Sequence, residues 1–204
     1  MLAKKILKFL LTVSISFCFL SNSFAIEPYL FVQETVNSAS EALNKRLSKE
    51  EKMEKLKIIA EKTVDIQGIG NYSLGTYRKT ISDQKKDGYF DIFEQYFLKS
   101  FSSRLAEYTD PKIRVDSQKK LNEKYTMVSS VLLATEEKPE VKIDWRIVTK
   151  NPEKPLIIDV VIEGVSLAKV QKEEFNSIIQ SNNGDINALL TCLLYTSPSP
   201  RDRG

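Results

Sequence analysis

The chain contains no histidine, and its two cysteines, Cys18 and Cys192, stand near its ends. Without imidazole there is no Ser-His-Asp or Cys-His activation of a nucleophile, no usual neutral-pH acid or base, and little scope for a zinc site. One long stretch, Phe9 to Leu20, is free of charge. It is too short for a permanent membrane helix, which takes about 20 apolar residues. Glycine and proline occur only seven times each, which excludes collagen-like and low-complexity chains. What is present is 42% hydrophobic and 28% charged over 204 residues, enough for one domain with a real core.

Both ends read as foreign to the folded domain. Lys4, Lys5 and Lys8 precede the apolar stretch, and Ser23-Phe24-Ala25 supplies small residues around a cleavage point. Residues 1–25 therefore read as an export signal, cut after Ala25. The alternatives are an uncleaved anchor, for which the stretch is short, and acylation at Cys18, for which Phe17 is too bulky a neighbour. At the other end, Cys192-Leu193-Leu194-Tyr195-Thr196-Ser197-Pro198-Ser199-Pro200-Arg201-Asp202 resembles the translation of a transposase-type sequencing adapter. A disordered Ser/Pro tail is the bland alternative. On the adapter reading residues 192–204 are not native, and the natural sequence breaks off near Thr191.

This changes the charge. The whole chain is +3, but the five basic residues and one acidic residue at the two ends leave 25 basic and 26 acidic residues over 26–191, a net charge of −1. No argument for nucleic-acid binding survives that balance. Both cysteines go with the ends, leaving a mature domain with no disulfide, thiolate ligand or thiol nucleophile.

Along 26–191 the apolar spacing predicts helices first. Pro28 opens one carrying Leu30, Val32, Val36, Ala39, Ala42 and Leu43, and Ser48 with Glu51 forms a capping box for a second. Asp65 caps a short third piece that ends at Gly75, where a left-handed exit is expected. After Ser82 and Asp83 comes the most aromatic segment, with Tyr89, Phe90, Phe93, Tyr96, Phe97, Phe101 and Leu105 at three- and four-residue steps. Beyond Asp110-Pro111 the period becomes two, predicting four antiparallel strands near 112–121, 124–135, 141–150 and 156–163. The third alternates cleanly, with Val141, Ile143, Trp145 and Ile147 opposite Lys142, Asp144 and Arg146, whereas the fourth is apolar on both parities. A helix with Leu167, Val170, Phe175 and Ile179 follows, and another begins near Asp185. The expected class is α+β, with helices on one face of a curved four-stranded antiparallel sheet.

Candidate chemistry is sparse. Gly68-Ile69-Gly70 lacks the preceding strand and third glycine of a dinucleotide fingerprint, so helix packing is the better reading. Asp159 and Glu163 lie four strand steps apart, about 13 Å, beyond the reach of paired glycosidase carboxylates. Lys52, Lys55 and Lys57 alternate with glutamates like a solvated helix face. What remains is an aromatic helix face and a two-sided apolar strand in an exported domain.

The run Asp159-Val160-Val161-Ile162-Glu163-Gly164-Val165-Ser166-Leu167 resembles the hallmark of the MlaC family, the toluene-tolerance periplasmic proteins. Asp65, Tyr72-Ser73-Leu74-Gly75, Gln84 and Phe175-Asn176-Ser177-Ile178-Ile179 follow the same family order over most of 28–190. The resemblance implies an NTF2-like fold, a deep apolar pocket for phospholipid tails and a periplasmic location. It also implies carriage of phospholipid between an outer-membrane lipoprotein complex and an inner-membrane ABC transporter complex, which maintains outer-membrane lipid asymmetry. No enzyme activity, no metal and no cofactor are implied; the bound phospholipid is cargo. The side chains expected to converge on the pocket are Leu74, Tyr77, Phe93, Phe97, Val131, Leu133, Trp145 and Val161, with Gly75 and Gly164 in structural turns. Two rivals stay open. One is an NTF2-like isomerase or dehydratase with Asp144 or Asp159 beside a tyrosine in the pocket; the other is a protein-binding module filled by its own side chains.

Overall fold

A computed structural model describes residues 25–136 and 138–195; the export-signal reading of 1–24 and most of the tail lie outside the described residues. Helix α1 spans Pro28–Ala42, with proline where an unpartnered N–H would otherwise stand. Helix α2, Lys49–Thr63, opens on the expected capping box: the Glu51 N–H donates to Ser48 Oγ at 3.2 Å, and the Ser48 N–H donates to the Glu51 carboxylate at 2.8 Å. Asp65 caps α3, Ile66–Ser73, by accepting from the Gly68 N–H at 2.9 Å. A 3-10 turn, Gly75–Lys79, leads to the longest helix, α4, Asp83–Leu105.

Five strands follow in the spatial order β1-β2-β3-β4-β5, all antiparallel. They are β1 (Ile113–Asn122), β2 (Tyr125–Leu132), β3 (Val141–Val148), β4 (Leu156–Ile162) and β5 (Val165–Ser166). The fifth strand was not expected. It is a two-residue return of β4 through Glu163 and Gly164, at φ 48° and 81°, the double positive φ of a primed hairpin turn. Nothing lies within 4 Å of a Cβ built on Gly164, so this glycine is there for its backbone conformation and not to avoid obstruction. Helices α5 (Leu167–Ser181) and α6 (Ile186–Tyr195) complete the α+β domain. Residues 192–195, the start of the segment read as adapter-derived, continue α6, and Leu193 is buried there.

Register explains the ambiguous fourth strand. Ile147 pairs with Ile157, but Arg146 pairs with Asp159, leaving Ile158 as an extra residue that reverses the side-chain alternation. Ile157, Val160 and Ile162 therefore share one face although their numbers differ in parity. That face also carries Val128, Trp145 and Ile147, and α1 packs on it through Phe31, Val32 and Val36.

One further correction concerns a helix. Lys52 is 6% exposed and not solvated; its ammonium reaches the Tyr108 carbonyl and the Thr109 hydroxyl, each at 3.4 Å, beyond the C-terminus of α4, where positive charge is favoured. Gly70 serves helix packing, as expected, since a Cβ there would lie 2.8 Å from the Phe93 ring, whereas a Cβ on Gly68 would meet the capping Asp65 carboxylate instead.

Candidate functional site

The apolar interior is divided. One cluster lies among α3, α4, α5 and α6 and includes Ile66, Leu74, Tyr89, Phe93, Phe175, Ile179 and Leu189. A second joins α1 to the sheet, and a third, with Ala42, Leu43, Leu56 and Ala106, joins α1, α2 and the end of α4. Among the described residues Val64 alone packs against both the helical and the sheet cluster. The chain beside it is fixed to β4, since Val64 forms a parallel bridge with Ile157 and the Asp65 N–H donates to the Ile157 carbonyl at 2.9 Å. The helical layer is tied to β4 a second time through Asp159, which holds the start of α5.

The long helix α4 packs against α2, α3 and α6. Tyr89, Phe93, Phe97 and Phe101 recur every fourth residue and form one ridge, with ring centroids 5.7, 6.0 and 5.7 Å apart in succession. Tyr89 and Phe93 are fully buried, and the Tyr89 hydroxyl donates to the Gly70 carbonyl at 2.9 Å. Burial pushes that phenol well above its ordinary range. Phe97 and Phe101 are only half-buried, stack at 8°, and Phe101 belongs to none of the three clusters. Part of each of these two rings thus stays accessible.

The eight expected pocket residues separate on this frame. Leu74, Tyr77, Phe93 and Phe97 belong to or pack on the helical cluster. Trp145 is half-buried against the sheet cluster, and its indole N–H donates to Ser130 Oγ at 2.8 Å, which donates to the Ile143 carbonyl at 3.1 Å. Val131 and Val161 do not join it. They pair with Lys142 and Asp144, on the sheet face opposite Trp145. Leu133 sits just past β2, half-buried, with its N–H on the Lys112 carbonyl at 2.8 Å. Gly75 takes φ 57°, and Asn176 lies against its α-carbon.

Two grooves open on the helical layer. The larger, about 520 Å3, is lined by Tyr96, Phe175, Ile178 and Leu193 with Glu173 and Glu174 at its edge. The smaller, about 250 Å3, is lined by Tyr77, Ile81, Ile186 and Lys85 among others. Of the eight expected residues, Tyr77 alone borders either groove. Phe101, Ser130 and Phe175 were missed as site candidates; the four-residue spacing through Phe101 was the available signal.

The two carboxylates considered for catalysis are engaged structurally. Asp159, 4% exposed, accepts from the Ala168 N–H at 3.0 Å, from Ser166 Oγ at 2.7 Å and from Arg146 at 3.2 Å, and so fixes α5 to the sheet. Asp144 accepts from Ser129 Oγ at 2.6 Å on the face that carries Lys142. Among the described residues no acidic, cysteine or histidine group of three could hold a metal, and no helix is long and apolar enough to cross a membrane.

Helices stacked on a curved antiparallel sheet, with an aromatic run along the longest helix and two grooves on the helical layer, define an α+β domain. The sequence model of the MlaC protein family matches residues 32–193. The chain belongs to the MlaC family. It is 24% identical over 140 residues to the intermembrane phospholipid transport system binding protein MlaC of Haemophilus influenzae, a match covering 67% of this chain and 64% of that relative. It also has the fold of a Ralstonia solanacearum phospholipid-binding protein solved in complex with a phospholipid. The TM-score is 0.70 at 15% identity, covering 84% of this chain and 97% of that one.

Proposed function

We propose that the chain is a periplasmic phospholipid carrier. It is exported by its N-terminal signal, cut after Ala25, and holds acyl chains between the helical layer and the sheet. The observation that carries this reading is the half-buried aromatic pair Phe97 and Phe101 on the long helix, in a domain whose apolar interior is divided into separate clusters. The likeness to proteins named for phospholipid binding and transport supports it.

The physical need is large. Two acyl chains carry on the order of 30 methylenes, and exposing them to water costs about 24 kcal/mol. An interior divided into separate apolar clusters can take them in between clusters with little of any one of them dismantled. The head group stays at the surface, in keeping with the absence of a dedicated charged pocket in the sequence. In the cell the carrier exchanges phospholipid with an outer-membrane lipoprotein complex and an inner-membrane ABC transporter complex, and so maintains outer-membrane lipid asymmetry. No covalent chemistry enters this role.

A transfer assay tests it. Vesicles holding a self-quenched fluorescent phospholipid are mixed with unlabelled acceptors. The mature domain should speed the loss of quenching in proportion to its concentration. A rate equal to that of the protein-free control counts against carriage and favours the protein-binding reading.

A further inference from the structure

The two ends of the sheet differ in charge. One end is built by the β1–β2 turn, the β3–β4 turn and the start of α1. Hydrogen bonds hold these together: the Thr149 N–H donates to the Lys124 carbonyl at 2.7 Å, the Ile26 N–H to the Pro152 carbonyl at 2.8 Å and the Tyr29 N–H to Gln118 Oε1 at 2.9 Å. This end carries Lys119, Lys120, Lys124, Lys150 and Lys154 against Glu27, Glu123 and Glu153, a net charge of +2 in a mature domain of net −1. At its margin Arg146 pairs with Asp159, and Glu61 and Lys62 at the end of α2 offset each other. Among the described residues Lys120 alone of the five lysines forms a salt bridge, to Glu123 at 2.9 Å. At the opposite end the balance reverses: Asp110, Glu136, Glu140 and Glu163 stand against Lys112, Lys138 and Lys142. The basic end also carries apolar tips, with Ile26, Leu30 and Leu121 exposed by 42%, 52% and 43%.

We infer that this end of the sheet is a docking surface for an anionic lipid bilayer. Lysine is depleted at protein interfaces, where arginine and aromatic rings take its place; here the unpaired cations are all lysine and the exposed tips all aliphatic. That combination suits a lipid interface: the apolar tips enter the head-group region, and the lysines lie over anionic lipids with their stems along the surface. The acidic end then faces away from the membrane, so the charge distribution also sets the orientation. The cut after Ala25 proposed above adds the Ile26 ammonium to the same surface. The inference goes beyond the seat for acyl chains, because a carrier served by protein complexes alone needs no such surface.

Sedimentation with sucrose-loaded vesicles tests it. The mature domain is mixed with vesicles of phosphatidylcholine alone, or of equal parts phosphatidylcholine and phosphatidylglycerol, and the bound fraction is read from the pellet. Binding to the mixed vesicles should be at least about tenfold tighter and should weaken as salt rises from about 0.1 to 1 M. Each lysine near such a surface contributes about fivefold, so Lys124→Gln/Lys150→Gln/Lys154→Gln should lose the preference for phosphatidylglycerol. The same charge change at the acidic end, Lys112→Gln/Lys138→Gln/Lys142→Gln, should alter binding less than about threefold. Leu30→Ser/Leu121→Ser should weaken binding by at least about fivefold with the salt dependence unchanged. All eight substituted side chains are exposed, so each variant should keep the native circular-dichroism spectrum. Equal affinity for both kinds of vesicle, or none for either, overturns the docking surface. So does an equal loss in the two lysine triples, which would mean overall charge and no particular end. The carrier reading stands or falls by the transfer assay above, not by these results.

Discussion

Two glycines with the same kind of backbone should respond very differently to the same methyl group. Gly75 and Gly164 both have positive φ, 57° and 81°. Alanine in that region costs about 1–2 kcal/mol wherever it is placed. At Gly164 nothing else is in the way. At Gly75 the new Cβ would lie 2.6 Å from Asn176 Oδ1 and 2.8 Å from Nδ2. That amide is not free to swing, because it donates to the Ser73 carbonyl at 3.2 Å and to the Lys172 carbonyl at 2.6 Å, tying α5 to α3. Displacing it breaks the tie beside a fully buried Ser73 and adds about 1–3 kcal/mol. Gly164→Ala should therefore lose about 1–2 kcal/mol and Gly75→Ala about 2–5 kcal/mol. Urea unfolding of each variant gives the values directly. Adding Asn176→Ala to Gly75→Ala removes the clash and should recover stability relative to Gly75→Ala alone. If the two alanine variants agree within about 0.5 kcal/mol, or Asn176→Ala recovers nothing, the interlock is wrong.

Asp159→Ala strands the Ala168 N–H and Ser166 Oγ and should cost about 2–3 kcal/mol. The half-exposed Arg146 adds little to this loss, and Asp159→Asn, which keeps one acceptor, should lose about half as much by the same denaturation assay. Tyr89→Phe should lose about 1 kcal/mol. The raised folded pKa of Tyr89 means that stability is complete below the ordinary tyrosine value of 10.0 and declines as pH rises past it. Thermal melts above that pH should fall less steeply for the phenylalanine variant. Glu51 is held below the usual carboxylate range by the Ser48 backbone hydrogen bond first and the Ser48 hydroxyl second. Its contribution is present above its unfolded pKa and vanishes as pH falls through the depressed one. Acid unfolding of Glu51→Gln should therefore show a shallower pH dependence than wild type.

Much of the fold was legible because local chemistry decides it. The Ser48–Glu51 box, the Asp65 cap, the left-handed exit at Gly75 and the run from Asp83 to Leu105 all follow from residues a few positions apart. The site was less legible, because it depends on which faces meet. Val131 and Val161 looked like pocket residues on apolarity alone; only pairing with Lys142 and Asp144 reveals their side of the sheet. The extra residue at Ile158 made β4 look apolar on both faces at once. Lys52 read as solvated because a single sequence does not show that the end of α4 folds over it. The ridge through Phe101 was visible as spacing, but its half-open state required the neighbouring layers to be in place.

The central claim is that the interior of this domain opens for hydrocarbon, and the most direct measurement is the mass of the intact protein. The mature domain, purified without detergent from cells that export it, is sprayed under native conditions and then extracted with organic solvent for lipid identification. The account predicts a species heavier than the polypeptide by the mass of one phospholipid, which disappears after extraction and returns on incubation with vesicles. A protein that flies at its bare polypeptide mass, yields no phospholipid and takes none up from vesicles would contradict it.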